Sequence, residues 1–116
     1  MTAAKIQTEL ISLADIYALA EKVLISAGCD AKNAAAIART VMRAERDGSV
    51  SHGLFRVPGY VGSLRSGKVS GNAEPKVTAK MPCIIEADAQ MGYAPLTLER
   101  GLPVIAEAAS QHGVAI

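Results

Sequence analysis

Apolar positions recur at intervals of three and four along two stretches near the start of the chain, and that spacing predicts two amphipathic helices. In the first, Ile16, Leu19, Ala20, Val23, Leu24 and Ala27 fall on one stripe. Ser12 stands at the N-cap position with Asp15 three residues on, a carboxylate variant of the capping box, and Gly28 supplies the left-handed residue that stops a helix. In the second, Asp30 is the cap and Ala34, Ile37, Ala38, Val41 and Met42 form the stripe; Arg39, Arg43 and Arg46 fall toward water, and Gly48 ends the element. The small residues at 34–36 let the two helices approach closely, so the pair reads as an αα-hairpin.

The next stretch, residues 51–66, admits two readings. Leu54, Val57, Val61 and Leu64 share one side of a continuous helix, and at about 100° per residue His52, Arg56 and Tyr60 lie within about a quarter turn of one another on a different side. Pro58 opposes that reading, because proline lacks the N–H donor and disfavours α geometry at Val57 before it. Either the helix runs through with a kink, or it begins near Pro58 and leaves His52 on the preceding loop, where spacing no longer says whether His52 and Arg56 converge.

Gly67, Gly71, Asn72 and Pro75 make residues 67–75 a connection. Residues 76–80 and 83–88 have strand character with Pro82 between them, and residues 89–93 turn around Gly92. Leu98, Leu102, Ile105, Ala106 and Ala109 predict a further helix over residues 96–111, with Gly101 and Pro103 as blemishes and Gly113 as its stop. Val114, Ala115 and Ile116 then read as the start of a strand. Strand, helix and strand open a larger α/β layer, and one or two strands do not make a stable sheet. The expected class is α/β (α+β): a helical domain over residues 1–75, then residues 76–116 as the incomplete start of a sheet domain.

Composition narrows the class. A chain of 116 residues can bury a real core, and with 50% hydrophobic and 20% charged residues it is not disordered. Aromatics make up only 3%, so that core is built mainly from Ala, Val, Ile and Leu. A net charge of +1 gives no global attraction to nucleic acid, and Glu45 and Asp47 interleave with the arginines of the most basic stretch. No apolar run is long enough to span a membrane, and residues 1–10 lack the apolar centre of a signal peptide. Cys29 and Cys83 belong to no C-x-x-C pattern, which indicates neither a disulfide framework nor a metal site and points to a reducing cytoplasm.

Candidate chemistry concentrates in residues 47–60, D-G-S-V-S-H-G-L-F-R-V-P-G-Y, where His52 is followed after four residues by Arg56 and after four more by Tyr60. An imidazole, a guanidinium and a phenol on one face suit a substrate that bears a carboxylate. Asp47, Gly48, the S-H-G-x-x-R-x-x-x-Y core that starts at Ser51, and then Gly67, Asp88 and Gly92 resemble the N-terminal part of the malate/L-lactate dehydrogenase family, the NAD(P)-dependent 2-oxoacid oxidoreductases that lack a Rossmann domain. The resemblance covers nearly the whole chain, although the family's members are considerably longer. It implies hydride transfer between NAD or NADP and a 2-hydroxy or 2-oxo acid such as malate or lactate, in a homodimer whose cofactor is held by a mostly antiparallel sheet domain. No G-x-G-x-x-G follows a strand and no G-x-x-x-x-G-K-[ST] occurs, so no cofactor-binding residue is assigned and the chain alone is expected to be inactive.

Within that resemblance His52 is the expected general acid in reduction and base in oxidation, since an imidazole titrates close to working pH. The competing reading is a histidine hydrogen-bonded at a helix start. Arg56 is the expected ligand of the substrate carboxylate, because its planar fork makes two parallel hydrogen bonds, against the reading of an exposed surface arginine. Ser51 either hydrogen-bonds substrate or caps a helix, and Tyr60 either turns its hydroxyl into the pocket or is an ordinary half-buried aromatic. Asp47 and Gly48 shape the turn before His52 in either case. His112, in the last turn of the final helix, complements the helix dipole and takes no site role. The alternative function is a catalytically inactive helical module that associates with a partner.

Overall fold

Helices α1, Leu13–Ala27, and α2, Ala31–Arg46, form the expected hairpin in the computed structural model, which describes residues 5–116. The reading of a missing signal peptide rests partly on residues 1–4, outside the described residues. Ser12 Oγ accepts the Asp15 N–H at 3.1 Å, and Asp30 Oδ1 accepts the Asn33 N–H at 2.9 Å. Gly28 and Gly48 have φ of 117° and 76°, and the N–H groups of Cys29 and Ser49 reach back to the carbonyls of Leu24 and Ala44. Both helices thus end in Schellman turns, which need a residue free to adopt positive φ. Ala20, Leu24, Ala34, Ile37, Ala38 and Val41 are fully buried between them, the alanines permitting the close approach. Burying a side chain the size of Leu24 or Ile37 contributes about 1.5–3 kcal/mol. Leu19 departs from the expected stripe and is exposed, while Arg39, expected in water, turns instead toward a later helix.

Residues 50–65 resolve the ambiguity around Pro58. Two 3-10 turns, Val50–His52 and Leu54–Arg56, lead into helix α3, Val57–Arg65, with Pro58 in its first turn. There the missing N–H has no intrahelical acceptor to lose, so the helix begins near the proline and not at Ser51. His52 lies on the segment before α3, and its relation to Arg56 and Tyr60 is not one of helical spacing. The apolar side holds as expected: Val57 is buried, and Leu54, Val61 and Leu64 pack against the same core.

Strands β1, Lys76–Met81, and β2, Ile84–Asp88, pair antiparallel with Lys76 opposite Asp88 and Thr78 opposite Glu86, and helix α4, Ala94–His112, follows. The Ile116 N–H donates to the Cys83 carbonyl at 2.8 Å and the Ile85 N–H to the Ile116 carbonyl at 2.7 Å. One residue bonding in this way to two that are two apart on its neighbour is the parallel pattern, so Ile116 pairs along the open edge of β2 after a helical crossover.

Helix α4 buries a different face from the one its leucines predict. Leu96, Thr97, Gly101 and Ala108 are buried, whereas Leu98 and Leu102 are 57% and 58% exposed. Gly101 faces β2, where a Cβ on it would stand an ordinary 3.5 Å from that of Ala87, while Leu98 and Leu102 fall on the open side of the helix. The leucine stripe lines an open apolar groove with Ile85, Ala87 and Ile105. The molecule is correspondingly extended, with a Cα radius of gyration of 17.2 Å against about 13 Å for a compact chain of this length. Its buried core lies at the helical end, and that core carries the site.

Candidate active site

The Schellman turn at Gly48 reverses the chain after α2, and Asp47, paired with Arg46 at 2.7 Å, lies in that turn as expected. The chain then runs back along the end of α2 through the two 3-10 turns. The Leu54 N–H, at their junction, donates to Glu45 Oε1 at 2.8 Å. Arg56 immediately precedes α3, so its guanidinium and the Tyr60 ring, one helical turn on, project together.

His52, Arg56, Gly59, Tyr60, Ser63 and Tyr93 line one open cleft of about 420 Å³. His52 and Arg56 are exposed and Tyr60 is half-buried, and the trio does converge: Arg56 and Tyr60 stand one helical turn apart, and the path of the turns brings His52 to them. Among the described residues no carboxylate pairs with Arg56, whereas Arg39, Arg46 and Arg100 each hold one. A guanidinium left unpaired at a cleft is available to an anionic ligand.

Ser51 stands apart from the other expected residues. It neither caps a helix nor lines the cleft; its hydroxyl is hydrogen-bonded to His52 Nδ1 at 2.9 Å, and it borders a shallow hollow with Val50 and Phe55. Tyr93, by contrast, belongs to the site although nothing in the sequence pattern marked it. Its ring meets that of Tyr60 at 5.3 Å and 88°, edge to face, and its hydroxyl donates to the Tyr60 carbonyl at 2.5 Å. Burial first, then the neighbouring Cys29 and Tyr60, push its hydroxyl up to about 12. Glu45 is the other omission, visible in the sequence only as a charge among arginines. Its carboxylate serves the backbone that carries His52 and Arg56.

Among the described residues no three His, Cys, Asp or Glu side chains gather as a metal site, both cysteines are free thiols, and no helix is long and apolar enough to cross a membrane. The chain belongs to the malate/L-lactate dehydrogenase family, whose model matches residues 11–116. That family comprises NAD(P)-dependent oxidoreductases of small 2-oxo and 2-hydroxy acids and related compounds.

The chain is 43% identical over 105 residues to a Δ1-pyrroline-2-carboxylate reductase of Ancylobacter novellus, matching 90% of this chain and 31% of that protein. It superposes on the crystal structure of Δ1-piperideine-2-carboxylate reductase from Pseudomonas syringae pvar. tomato with a TM-score of 0.88 at 34% identity, over 93% of this chain and 32% of that one. Malate dehydrogenase from Entamoeba histolytica superposes with a TM-score of 0.81 at 23% identity, over 91% and 30% of the two chains, a likeness of fold alone. The chain thus spans about a third of the length of the relatives it matches.

Proposed function

We propose that this chain supplies the acid and the carboxylate clamp of an NAD(P)H-dependent reductase acting on a small cyclic imine that bears a 2-carboxylate. The carrying observation is that His52 and unpaired Arg56 open on one cleft walled by Tyr60 and Tyr93. A flat five- or six-membered ring suits an aromatic wall better than the open chains of malate or lactate do. Relatives between 43% and 31% identical that are named for pyrroline- or piperideine-2-carboxylate reduction favour the same choice.

Reduction of such a ring places hydride on the imine carbon and a proton on nitrogen, so that C=N becomes CH–NH. In this family the nicotinamide supplies the hydride. His52 supplies the proton. With Ser51 Oγ on Nδ1, Nε2 is the nitrogen left to exchange it, and a hydroxyl can accept from the imidazolium or donate to the neutral ring. Arg56 holds the carboxylate through two parallel hydrogen bonds, which fixes the imine carbon relative to His52. In this proposal β1, β2 and the bonded Ile116 start the sheet that would hold the cofactor. In this reading residues 1–75 are the substrate and catalytic domain, residues 76–116 begin the cofactor domain, and the complete protein is a cytoplasmic homodimer without nucleic-acid or membrane partners.

The test is a titration of the chain with pyrrole-2-carboxylate, a planar ring acid, followed by NMR. Shifts confined to His52, Arg56, Tyr60 and Tyr93 and abolished by Arg56→Ala support the reading; shifts indifferent to that substitution overturn it. The chain alone is expected to show no hydride transfer, and a positive assay would refute that part. The exposed groove of Ile85, Leu98 and Leu102 favours a second reading, an inactive association module. Sedimentation of the chain mixed with a full-length relative separates the two, since the module alone requires a complex.

A further inference from the structure

We infer that Glu45 is a positioning residue for the acid and the carboxylate clamp, a role that rests on the reading of His52 and Arg56 given above. Glu45 sits in the last turn of α2, on a helix fixed by the fully buried Val41 and Ala38 one and two turns earlier. From that fixed point its side chain reaches the junction of the two 3-10 turns. The backbone donors around the junction are served locally: His52 by the Ser49 carbonyl, Gly53 by Val50, Arg56 by Gly53. The Leu54 N–H instead has a side chain, Glu45 Oε1, as its acceptor at 2.8 Å. A hydrogen bond to an ionised carboxylate is stronger than one to a neutral carbonyl, so the junction is held more firmly than its neighbours.

Gly53 completes the socket. It is buried, and a Cβ built on it would stand 2.1 Å from Glu45 Oε1, 2.5 Å from Cδ and 2.8 Å from Cγ. The carboxylate occupies the volume that any other side chain at 53 would need. His52 and Arg56 lie two residues to either side of Leu54, so the anchored peptide between the turns sets how one side chain is aimed relative to the other. Glu45 does not line the cleft; it acts through the backbone that carries the two groups that do.

The experiment compares the 116-residue chain with its Glu45→Ala, Glu45→Gln and Gly53→Ala forms by NMR. Glu45→Ala is expected to speed amide exchange at Leu54 by about tenfold or more, to move the His52 ring and Arg56 Nε–H signals, and to weaken pyrrole-2-carboxylate by about tenfold. Exchange at Leu24 and Ile37, in the helical core, stays as in the parent, which a general loss of structure would not allow. Glu45→Gln, whose amide oxygen still accepts, restores both readouts to within about threefold. Gly53→Ala, which evicts the carboxylate without removing it, reproduces the alanine pattern. Unchanged Leu54 exchange and unchanged His52 and Arg56 signals in Glu45→Ala overturn the inference, as does a glutamine form no better than alanine. A parent chain that ignores pyrrole-2-carboxylate while the Leu54, His52 and Arg56 signals respond as stated supports the positioning role and sinks the substrate reading instead.

Discussion

The hydroxyl of Tyr93 donates to the main-chain carbonyl of Tyr60, 33 residues earlier, while the two rings meet edge to face. One contact therefore ties the residue just before α4 to the helix that presents Arg56. It also joins the helical part of the chain to the sheet part at the wall of the cleft, so the site is not the property of either part alone.

Tyr93→Phe keeps the ring contact and removes the donor. The expected cost is about 0.5–1.5 kcal/mol of stability, the ordinary net worth of one hydrogen bond. Tyr93→Ala also removes a buried ring and is expected to cost about 3–5 kcal/mol. Urea unfolding of the two variants beside the parent checks the order, and equal losses would mean that the hydroxyl contributes nothing.

Tyr93 also predicts an alkaline dependence. Its hydroxyl is raised from 10.0 to about 12 in the folded chain, so the folded state holds that proton more tightly than the unfolded state does. Below pH 10 both states keep it and the contribution is intact; between 10 and 12 the unfolded chain ionises first and stability falls; above 12 no further loss follows. Phenolate absorbance should show a late-ionising tyrosine near pH 12 that disappears in Tyr93→Phe.

A second tie between the two parts is the fork of Arg39 on Glu99, at 2.8 and 2.6 Å. The hydrogen bond to Arg39 holds the Glu99 carboxyl below its usual 4.5. A lowered carboxyl stabilises above its unfolded value and loses that contribution as pH falls through the folded one. Because the pair is about a third exposed, Glu99→Gln is expected to cost only about 1 kcal/mol at neutral pH. Urea midpoints of parent and variant should converge as pH drops below 4.5, and a constant gap would deny the ion pair.

How much of this was legible in the sequence depends on whether the determining contact is local. Ser12, Asp30, Gly28 and Gly48 act on backbone within a few residues, and the structure shows each cap and stop where the sequence placed it. Helical spacing predicted the convergence of His52, Arg56 and Tyr60 only if the helix ran through Pro58; the helix starts at Val57, so spacing accounts for Arg56 and Tyr60 while the turns before it bring in His52. Tyr93 escaped because no periodicity links a residue after Gly92 to one on α3. The buried face of α4 was misjudged because leucine content reports transfer energy and not which side of the helix meets β2. Arg39 was misread for a related reason: its partner lies 60 residues away.

Two glycines should respond oppositely to the same change. A Cβ on Gly71 would meet the Gly28 carbonyl oxygen at 2.5 Å and Leu64 Cδ2 at 2.9 Å, where the loop after α3 crosses the α1–α2 turn. Gly71→Ala is therefore expected to cost about 1–3 kcal/mol, as overpacking does. At Gly101 the nearest neighbour is the Ala87 Cβ at an ordinary 3.5 Å, and α geometry is already adopted. Gly101→Ala should gain up to about 1 kcal/mol from helix propensity. Thermal melts of both variants decide the matter, and a loss at Gly101 would show that α4 sits closer to β2 than described.

The last prediction concerns the shape of the charge at the cleft. If Arg56 acts only as a positive point, lysine replaces it; if it acts as a planar fork, lysine does not, because an ammonium offers no pair of parallel donors in one plane. Losing one charge-assisted hydrogen bond of the two costs about 1.5–3 kcal/mol, or roughly ten- to a hundredfold in affinity. Arg56→Lys should therefore bind pyrrole-2-carboxylate weakly, nearer to Arg56→Ala than to the parent, with the fold unchanged because the side chain is exposed and among the described residues pairs with no carboxylate. Calorimetric titration of the three forms separates the cases. Parent-like affinity in the lysine form would leave a role for charge and none for the fork, and the aim of the carboxylate relative to His52 would then have to come from the Tyr60 and Tyr93 rings.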